Sequence, residues 1–322
     1  MNTASAPVDS ALPPTWWAAL SPRTTLLVRG RDAVRFLDNF TTASLAPLTP
    51  GQATEGFFAD GRGHVIALAR LLRTPEGIWI DAAPGLAAPL HEHLEHYHIR
   101  EDVTFDDVSD ERAAFLVRGP APATGLTPPD LDRFVQAPLG GVDATILATD
   151  WFGAGGLLVF TAANESARLV DWLAATGLPR ATPADVETAR IEAGSPEPTD
   201  IPPKTLPQEL GRDARAICFT KGCYLGQETV ARLDALGHVN RRLVGIATST
   251  AVAPPLGGDV LLDGAAVGTI TSACVSPALG TGLALALVHV KALVPTARIT
   301  IAGTAARIVS LPLTAGAKER TA

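Results

Sequence analysis

Eight consecutive residues, Lys221-Gly222-Cys223-Tyr224-Leu225-Gly226-Gln227-Glu228, constrain this chain more than any other stretch. They gather one of its three cysteines, one of its two tyrosines, a cation, a carboxylate and two glycines in a chain that is 18% charged and 5% aromatic. Gly222 and Gly226 admit backbone angles and close approaches that a side chain forbids, so the loop can fold tightly under another segment or around a ligand. The residues from Gln227 onward read as the opening of a helix. Cys223 therefore stands two residues after a lysine and just ahead of a helix N-terminus, and both favour thiolate over thiol. On this reading Cys223 is the reactive group, Lys221 tunes its charge, and Tyr224, Gln227 and Glu228 shape its pocket. The same spacing also suits a glycine-punctuated turn whose cysteine is a small buried hydrophobe.

At 322 residues, 47% hydrophobic with 29 Gly and 26 Pro, the chain is long enough for two or three domains with cores of their own. Gly, Pro and charges interrupt every apolar run before it reaches the length of a membrane span. The first 14 residues carry no basic group and no apolar stretch of the signal-peptide kind, so a cytoplasmic location is expected. Cys218, Cys223 and Cys274 are an odd set, as reduced thiols would be. Cys218 and Cys223 have the five-residue spacing of plant-type ferredoxin loops, but the next ligand of that pattern falls at Gly226, so no resident metal is expected. The net charge of -7 argues against coating nucleic acid by charge. A local basic patch of Lys221, Arg232, Arg241 and Arg242 remains, suited to an acidic tail or to solvent.

Residues 1–15 read as a mobile Ala/Pro/Ser leader, with order beginning near Trp16-Trp17. Strands are expected over residues 24–29, 55–59, 64–72 and 77–81, with Asp32 capping a helix between the first two and Asp60-Gly61 supplying the positive angles of a hairpin turn. Residues 85–99 have the leucine spacing of a helix. Their His91, His93, His96 and His98 invite a metal reading, but they do not converge on one straight helix and read as a polar outer face. Further strands are expected over 103–105, 113–118, 144–147 and 157–160, then a helix capped by Asn164 and a short one over 183–193. Without βαβ spacing or a glycine-rich phosphate loop, this order is α+β and not doubly wound. Beyond residue 237 short strands and glycine turns read as a small β-barrel.

The signature resembles that of the YgfZ family, folate-binding proteins related to the aminomethyltransferase, or T-protein, of the glycine cleavage system. Arg190-Ile191-Glu192-Ala193-Gly194 and the Val267 to Ser272 strand resemble their counterparts there. The resemblance implies a three-lobed T-protein-like ring, with two α+β lobes over residues 16–236 and a C-terminal barrel over 237–322. It implies a tetrahydrofolate or another reduced folate held between the lobes, with Arg190, Glu192, Tyr224, Gln227, Glu228 and Arg232 as candidate contacts. A carboxylate such as Glu192 can accept two hydrogen bonds from the amino-pyrimidinone edge of a pterin, though a helix-end ion pair with Arg190 would explain it equally.

The implied role is assembly or repair of iron-sulfur clusters in client enzymes, including radical enzymes that modify transfer RNA, with no direct nucleic-acid contact and no membrane. Two other readings stay open. One is a folate-dependent aminomethyltransferase, which the chain disfavours because Ala19-Leu20-Ser21-Pro22 lacks the carboxylate of the T-protein's N-terminal motif. The other is a folate-binding or scaffold module that performs no catalysis.

Overall fold

A computed structural model describes residues 13–119, 128–237, 239–294 and 297–313. The expected leader falls outside these up to residue 12. The first lobe is built from β2 (Thr24–Arg29), α1 (Ala33–Asp38), β3 (Ala53–Ala59), β4 (Val65–Arg73), β5 (Gly77–Ala82), α2 (Ala87–Tyr97) and β6 (Thr104–Asp107). The second takes β1 (Trp16–Ala19), β7 (Arg112–Arg118), β8 (Phe134–Leu139), β9 (Val142–Thr149), β10 (Gly156–Ala162) and α3 (Ser166–Ala175). Then α4 (Pro183–Ala193), α5 (Asp213–Ala216) and α6 (Gln227–Leu236) lead to β11 (Arg241–Thr248), β12 (Asp259–Leu262), β13 (Ala265–Ser276), β14 (Thr281–His289), β15 (Ile299–Ile301) and β16 (Thr304–Val309). Sheet orders are β3-β4-β5-β2-β6 and β1-β7-β10-β9-β8, and β11-β14-β13-β12-β15-β16 closes as a barrel. Every pairing between these strands is antiparallel, as an α+β chain without βαβ crossovers requires. The first strand of the chain thus belongs to the second sheet, which ties the lobes together at their start.

The side-chain period of two distributes each strand between two cores. In β4 and β5, Ala69, Leu71, Ile78 and Ile80 pack under α1 and α2, while Leu68, Leu72 and Trp79 face the other way. There they meet Leu116, Leu158 and Phe160 of the second sheet and Leu243, Leu285 and Leu287 of the barrel, so one apolar core joins all three lobes. The outer face of the second sheet packs Phe115, Ile146 and Val159 against Leu169 and Leu173 of α3. Arg70 and Asp81 are register partners on β4 and β5 and share the inward parity of Leu68, Leu72 and Trp79. Two charges are thereby placed at the junction of the lobes.

Some local expectations differ from the structure. The hairpin between β3 and β4 takes its positive φ at Gly63, φ 82°, and neither Asp60 nor Gly61 adopts one. Asp60 instead accepts hydrogen bonds from the N–H groups of Arg62 and His64 at 2.8 Å, which closes the four-residue turn from its side chain. Asp32 precedes α1 without a side-chain capping bond; its carboxylate accepts the Asp102 N–H at 3.0 Å and anchors β6. Asn164 caps no helix, because a 3-10 turn over Ala163–Glu165 comes first and α3 begins at Ser166. β8 was not expected: it carries Pro138 and lies at the edge of its sheet, where a missing N–H costs no ladder bond.

Candidate functional site

A cavity of about 220 Å³ opens where the lobes meet. β4 supplies Val65 through Arg70, β5 supplies Asp81, the turn after β9 supplies Trp151, and the segment after α4 supplies Pro196, Glu197 and Pro198. Arg23 completes the polar wall. Asp81, 2% exposed, lies between two guanidiniums: Oδ1 accepts from Nε of Arg23 at 2.6 Å, and Oδ2 accepts from Nε of Arg70 at 2.8 Å. Burial alone would raise the Asp81 pKa, but Arg23 and Arg70 outweigh it and hold the carboxyl below its ordinary value. Asp81 is therefore an ionised, fully engaged acceptor and a poor proton acceptor for anything else. Glu197 is half-buried and close enough to Arg23 to raise its pKa further.

The sequence carries a signal for this wall beyond the residues singled out above. Arg70 interrupts Ala67-Leu68-Ala69 and Leu71-Leu72, and Asp81 ends Ile78-Trp79-Ile80. A charge inside an apolar strand must be paired or serve a ligand.

The signature lies elsewhere, against the first lobe. Its backbone is pinned by Leu225 N–H to Asn39 O, and the segment leading into it by Cys218 N–H to Thr42 O, both 2.9 Å. Gly226, at φ 81°, is the N-cap of α6 and sits against the β3–β4 hairpin, where a Cβ would meet Asp60 O at 2.8 Å. Gly222 faces open space. Lys221, although two residues from Cys223 in sequence, turns inward: Nζ donates to the carbonyls of Asp38 at 2.5 Å, Thr41 at 3.1 Å and Ala43 at 2.5 Å, and lies 3.3 Å from the Asp38 carboxylate. It also sits 5.4 Å from the centroid of the buried Tyr224 ring. Lys221 is thus removed from the expected basic patch, and Arg241 is paired with Glu209 by two hydrogen bonds of 2.9 Å. Gln227 braces the turn by accepting the Tyr224 N–H at 3.4 Å.

Cys223 is exposed, and Glu228 and Arg232 are exposed on α6. The thiol on which Lys221 acts is Cys218. The Thr220 hydroxyl, 3.6 Å from its sulfur, is the largest influence, and the N–H groups of Thr220 and Lys221 and the Lys221 ammonium add to it. Together they outweigh partial burial and hold this thiol below its ordinary pKa.

Arg190 and Glu192 sit at the other end of the junction, against the barrel. Thr182 caps α4, accepting the Asp185 N–H at 3.3 Å, and Gly194 ends it at φ 73°. Arg190 is 2% exposed and donates to Glu187, to Asp200 at 2.7 Å, to Ser195 O and to the Ser272 hydroxyl at 2.6 Å. Its carboxylate partners are Glu187 and Asp200, not Glu192 as the helix-end ion pair would have it. Glu192 accepts from the Ser276 hydroxyl at 2.5 Å and the Ala278 N–H at 3.2 Å. None of the six residues expected to contact folate lines the cavity. The histidine run of α2 also stays local: His93 packs edge-on to Phe40 and Tyr97, and His98 bonds Glu101 O at 2.9 Å.

Two five-stranded antiparallel sheets and a closed six-stranded barrel around a central cavity define a three-lobed architecture, and the chain can be placed within it. Residues 19–217 match the GCVT N-terminal domain and residues 241–314 match the glycine cleavage T-protein C-terminal barrel domain, so the chain belongs to the GCVT family. It is 27% identical to the mitochondrial aminomethyltransferase of Gallus gallus over 85% of this chain and 74% of that one. With the aminomethyltransferase of Thermus thermophilus the figures are 28%, 82% and 76%. A chloroplastic protein of Arabidopsis thaliana named as a transferase is 26% identical, and the matched part spans 58% of its length. The crystal structure of the glycine cleavage system aminomethyltransferase T from Bartonella henselae superposes with a TM-score of 0.82, covering 94% of this chain and 86% of that one at 19% identity, which shows the shared fold. Among the described residues no helix is long and apolar enough to cross a membrane.

Proposed function

We propose that this chain holds a reduced folate in the cavity between its lobes and uses it in assembly or repair of iron-sulfur clusters in client enzymes, including radical enzymes that modify transfer RNA. The observation that carries the reading is the clamping of Asp81 by Arg23 and Arg70. Aminomethyl transfer to folate needs a carboxylate free to take a proton or to pair with the reacting amine. The fully buried carboxylate in this cavity is already satisfied by two cations, which leaves Glu197 as the lining carboxylate, placed to hold a ligand. What remains is a binding site, and the thiols of the exposed Cys223 and the half-buried Cys218 lie outside the cavity, where a client can reach Cys223.

The residues fit the head group of a folate. The cavity is smaller than the roughly 300–1,000 Å³ of sites that enclose a whole drug-sized ligand, and so suits a bicyclic ring with its tail directed outward. Glu197 offers the two carboxylate oxygens that an amino-pyrimidinone edge requires, and Trp151 offers an aromatic wall. When bound, a reduced folate supplies one-carbon or reducing chemistry; the chain's own part is to hold and orient the ring and to exclude water from it. Client enzymes and the folate would then meet through the protein, not through nucleic acid.

Two measurements test the reading. Anaerobic calorimetric titration with tetrahydrofolate should show saturable binding, and its absence at millimolar ligand would remove the folate. In a strain lacking its own copy, Cys223→Ala should fail to restore the activity of iron-sulfur enzymes while folding normally, and full restoration would remove the thiol from the mechanism. The family relationship keeps aminomethyl transfer as the second reading. A turnover assay with an aminomethyl-lipoyl carrier protein decides it, and measurable methylenetetrahydrofolate would favour it.

A further inference from the structure

Two buried donors in the cavity wall have no acceptor. Nη1 of Arg70 and Nε1 of Trp151 are both shielded from solvent and unbonded, in residues 5% and 4% exposed. A buried N–H without a partner is costly, so an orphan donor beside a ligand-sized cavity marks a place where an acceptor belongs. Both residues line the same cavity, and the Arg70 guanidinium lies 4.9 Å from the centroid of the Trp151 ring. Asp81 already takes two donors of Arg70, Nε at 2.8 Å and Nη2 at 2.6 Å, which fixes the guanidinium and leaves Nη1 over. Arg212 covers the Trp151 ring as well, with its guanidinium 5.1 Å from the centroid, and it is anchored by Glu55. Neither Arg70 nor Trp151 can swing away to find another partner without breaking these contacts.

We infer that Arg70 and Trp151 form an oxygen-reading wall that selects ligands carrying a ring carbonyl, and that it discriminates 4-oxo from 4-amino pteridines. The inference rests on the reading of the cavity as a folate site. In a 4-oxo pterin the carbonyl adjoins the ring N–H and exocyclic amine that a carboxylate such as Glu197 accepts from. The cavity lining thus supplies both the donors and the acceptor that this edge of the ring calls for. A 4-amino analogue turns an N–H toward two N–H donors and leaves all of them unsatisfied. A site built to hydrogen-bond one group rejects the analogue lacking it far more strongly than an apolar pocket does.

The test compares calorimetric affinities for tetrahydrofolate and its equally reduced 4-amino analogue. The wild-type protein should bind the 4-oxo compound at least about tenfold more tightly. Trp151→Phe keeps an aromatic ring beside Arg70 but removes the N–H together with part of the indole, so any loss from repacking falls on both ligands while the ratio between them should drop about fivefold. Arg70→Lys should narrow it further. If tetrahydrofolate binds but the wild type does not distinguish the two ligands, or Trp151→Phe leaves the ratio unchanged, the oxygen-reading wall is wrong while the folate site stands. If neither ligand binds, the folate reading of the cavity falls and the inference falls with it. The wild-type ratio decides the question even if Arg70→Lys does not fold.

Discussion

Lys221 spans 183 residues of sequence to set its ammonium 2.5 Å from the carbonyl oxygen of Asp38 and 3.3 Å from the Asp38 carboxylate. With the Thr41 and Ala43 carbonyls also accepting from Nζ, the side chain ties the loop after α1 to the signature, and it is 2% exposed. Replacing it by methionine leaves several carbonyls and a carboxylate without their donor. We expect Lys221→Met to destabilise the protein by about 3 kcal/mol, read as a lower urea midpoint at unchanged slope. Lys221→Arg should recover little of this, because a planar fork cannot reproduce a compact point donor among three carbonyls.

The two signature glycines should behave oppositely. Gly226 has φ 81°, and an added Cβ would stand 2.8 Å from Asp60 O and 3.0 Å from the Cα of Gly63. Strain at a left-handed position and a clash with backbone that cannot move aside should make Gly226→Ala cost about 2 kcal/mol or more. At Gly222 nothing lies within 4 Å of an added Cβ and the backbone angle is one that any residue adopts. Gly222→Ala should therefore change stability by less than about 0.5 kcal/mol. Equal effects in thermal melts would contradict the close packing of the hairpin on the signature.

Asp81→Asn should be the most damaging single change in the cavity wall. It keeps the shape but leaves Arg23 and Arg70 buried with no counter-charge, a loss on the order of 3–5 kcal/mol. Because its folded pKa is depressed, Asp81 contributes stability that is present above the ordinary carboxyl pKa and is lost as pH falls through the lower folded value. Acid titration of wild-type stability should show this loss, and Asp81→Asn should lack it.

Much of the fold was legible because it follows from local pattern. The strands of the first lobe, the barrel's alternation with glycine turns, and α4 with its Gly194 stop appear where periodicity and caps put them. The α+β order followed from the missing crossovers. The polar wall was less legible, because Arg70 and Asp81 become partners only when β4 and β5 align, and Arg23 joins them from a loop 58 residues away. The surroundings of Lys221 were hidden from the sequence for the same reason. Adjacency along the chain suggested that it serves Cys223, whereas the fold turns its ammonium toward residues near position 40 and brings its charge to bear on Cys218.

That last displacement sets an order of thiol reactivity. Cys218 has its thiolate favoured first by the Thr220 hydroxyl, then by two backbone N–H groups and the Lys221 charge, so its alkylation rate should rise with pH around a midpoint below that of an ordinary cysteine. Cys274 is buried among groups that include Glu192, and burial pushes its thiol up to about 12, so it should resist alkylation until the protein unfolds. The sign for stability follows: a thiol whose folded pKa is raised contributes fully below its unfolded value of about 9, and loses that contribution as pH climbs toward 12. Timed iodoacetamide labelling read by peptide mass spectrometry, from pH 6 to pH 10, should mark Cys218 at the lowest pH and Cys274 last. In Thr220→Val, which removes the hydroxyl and keeps the shape, the Cys218 midpoint should move upward. An unchanged midpoint would mean that Thr220 does not govern this thiol.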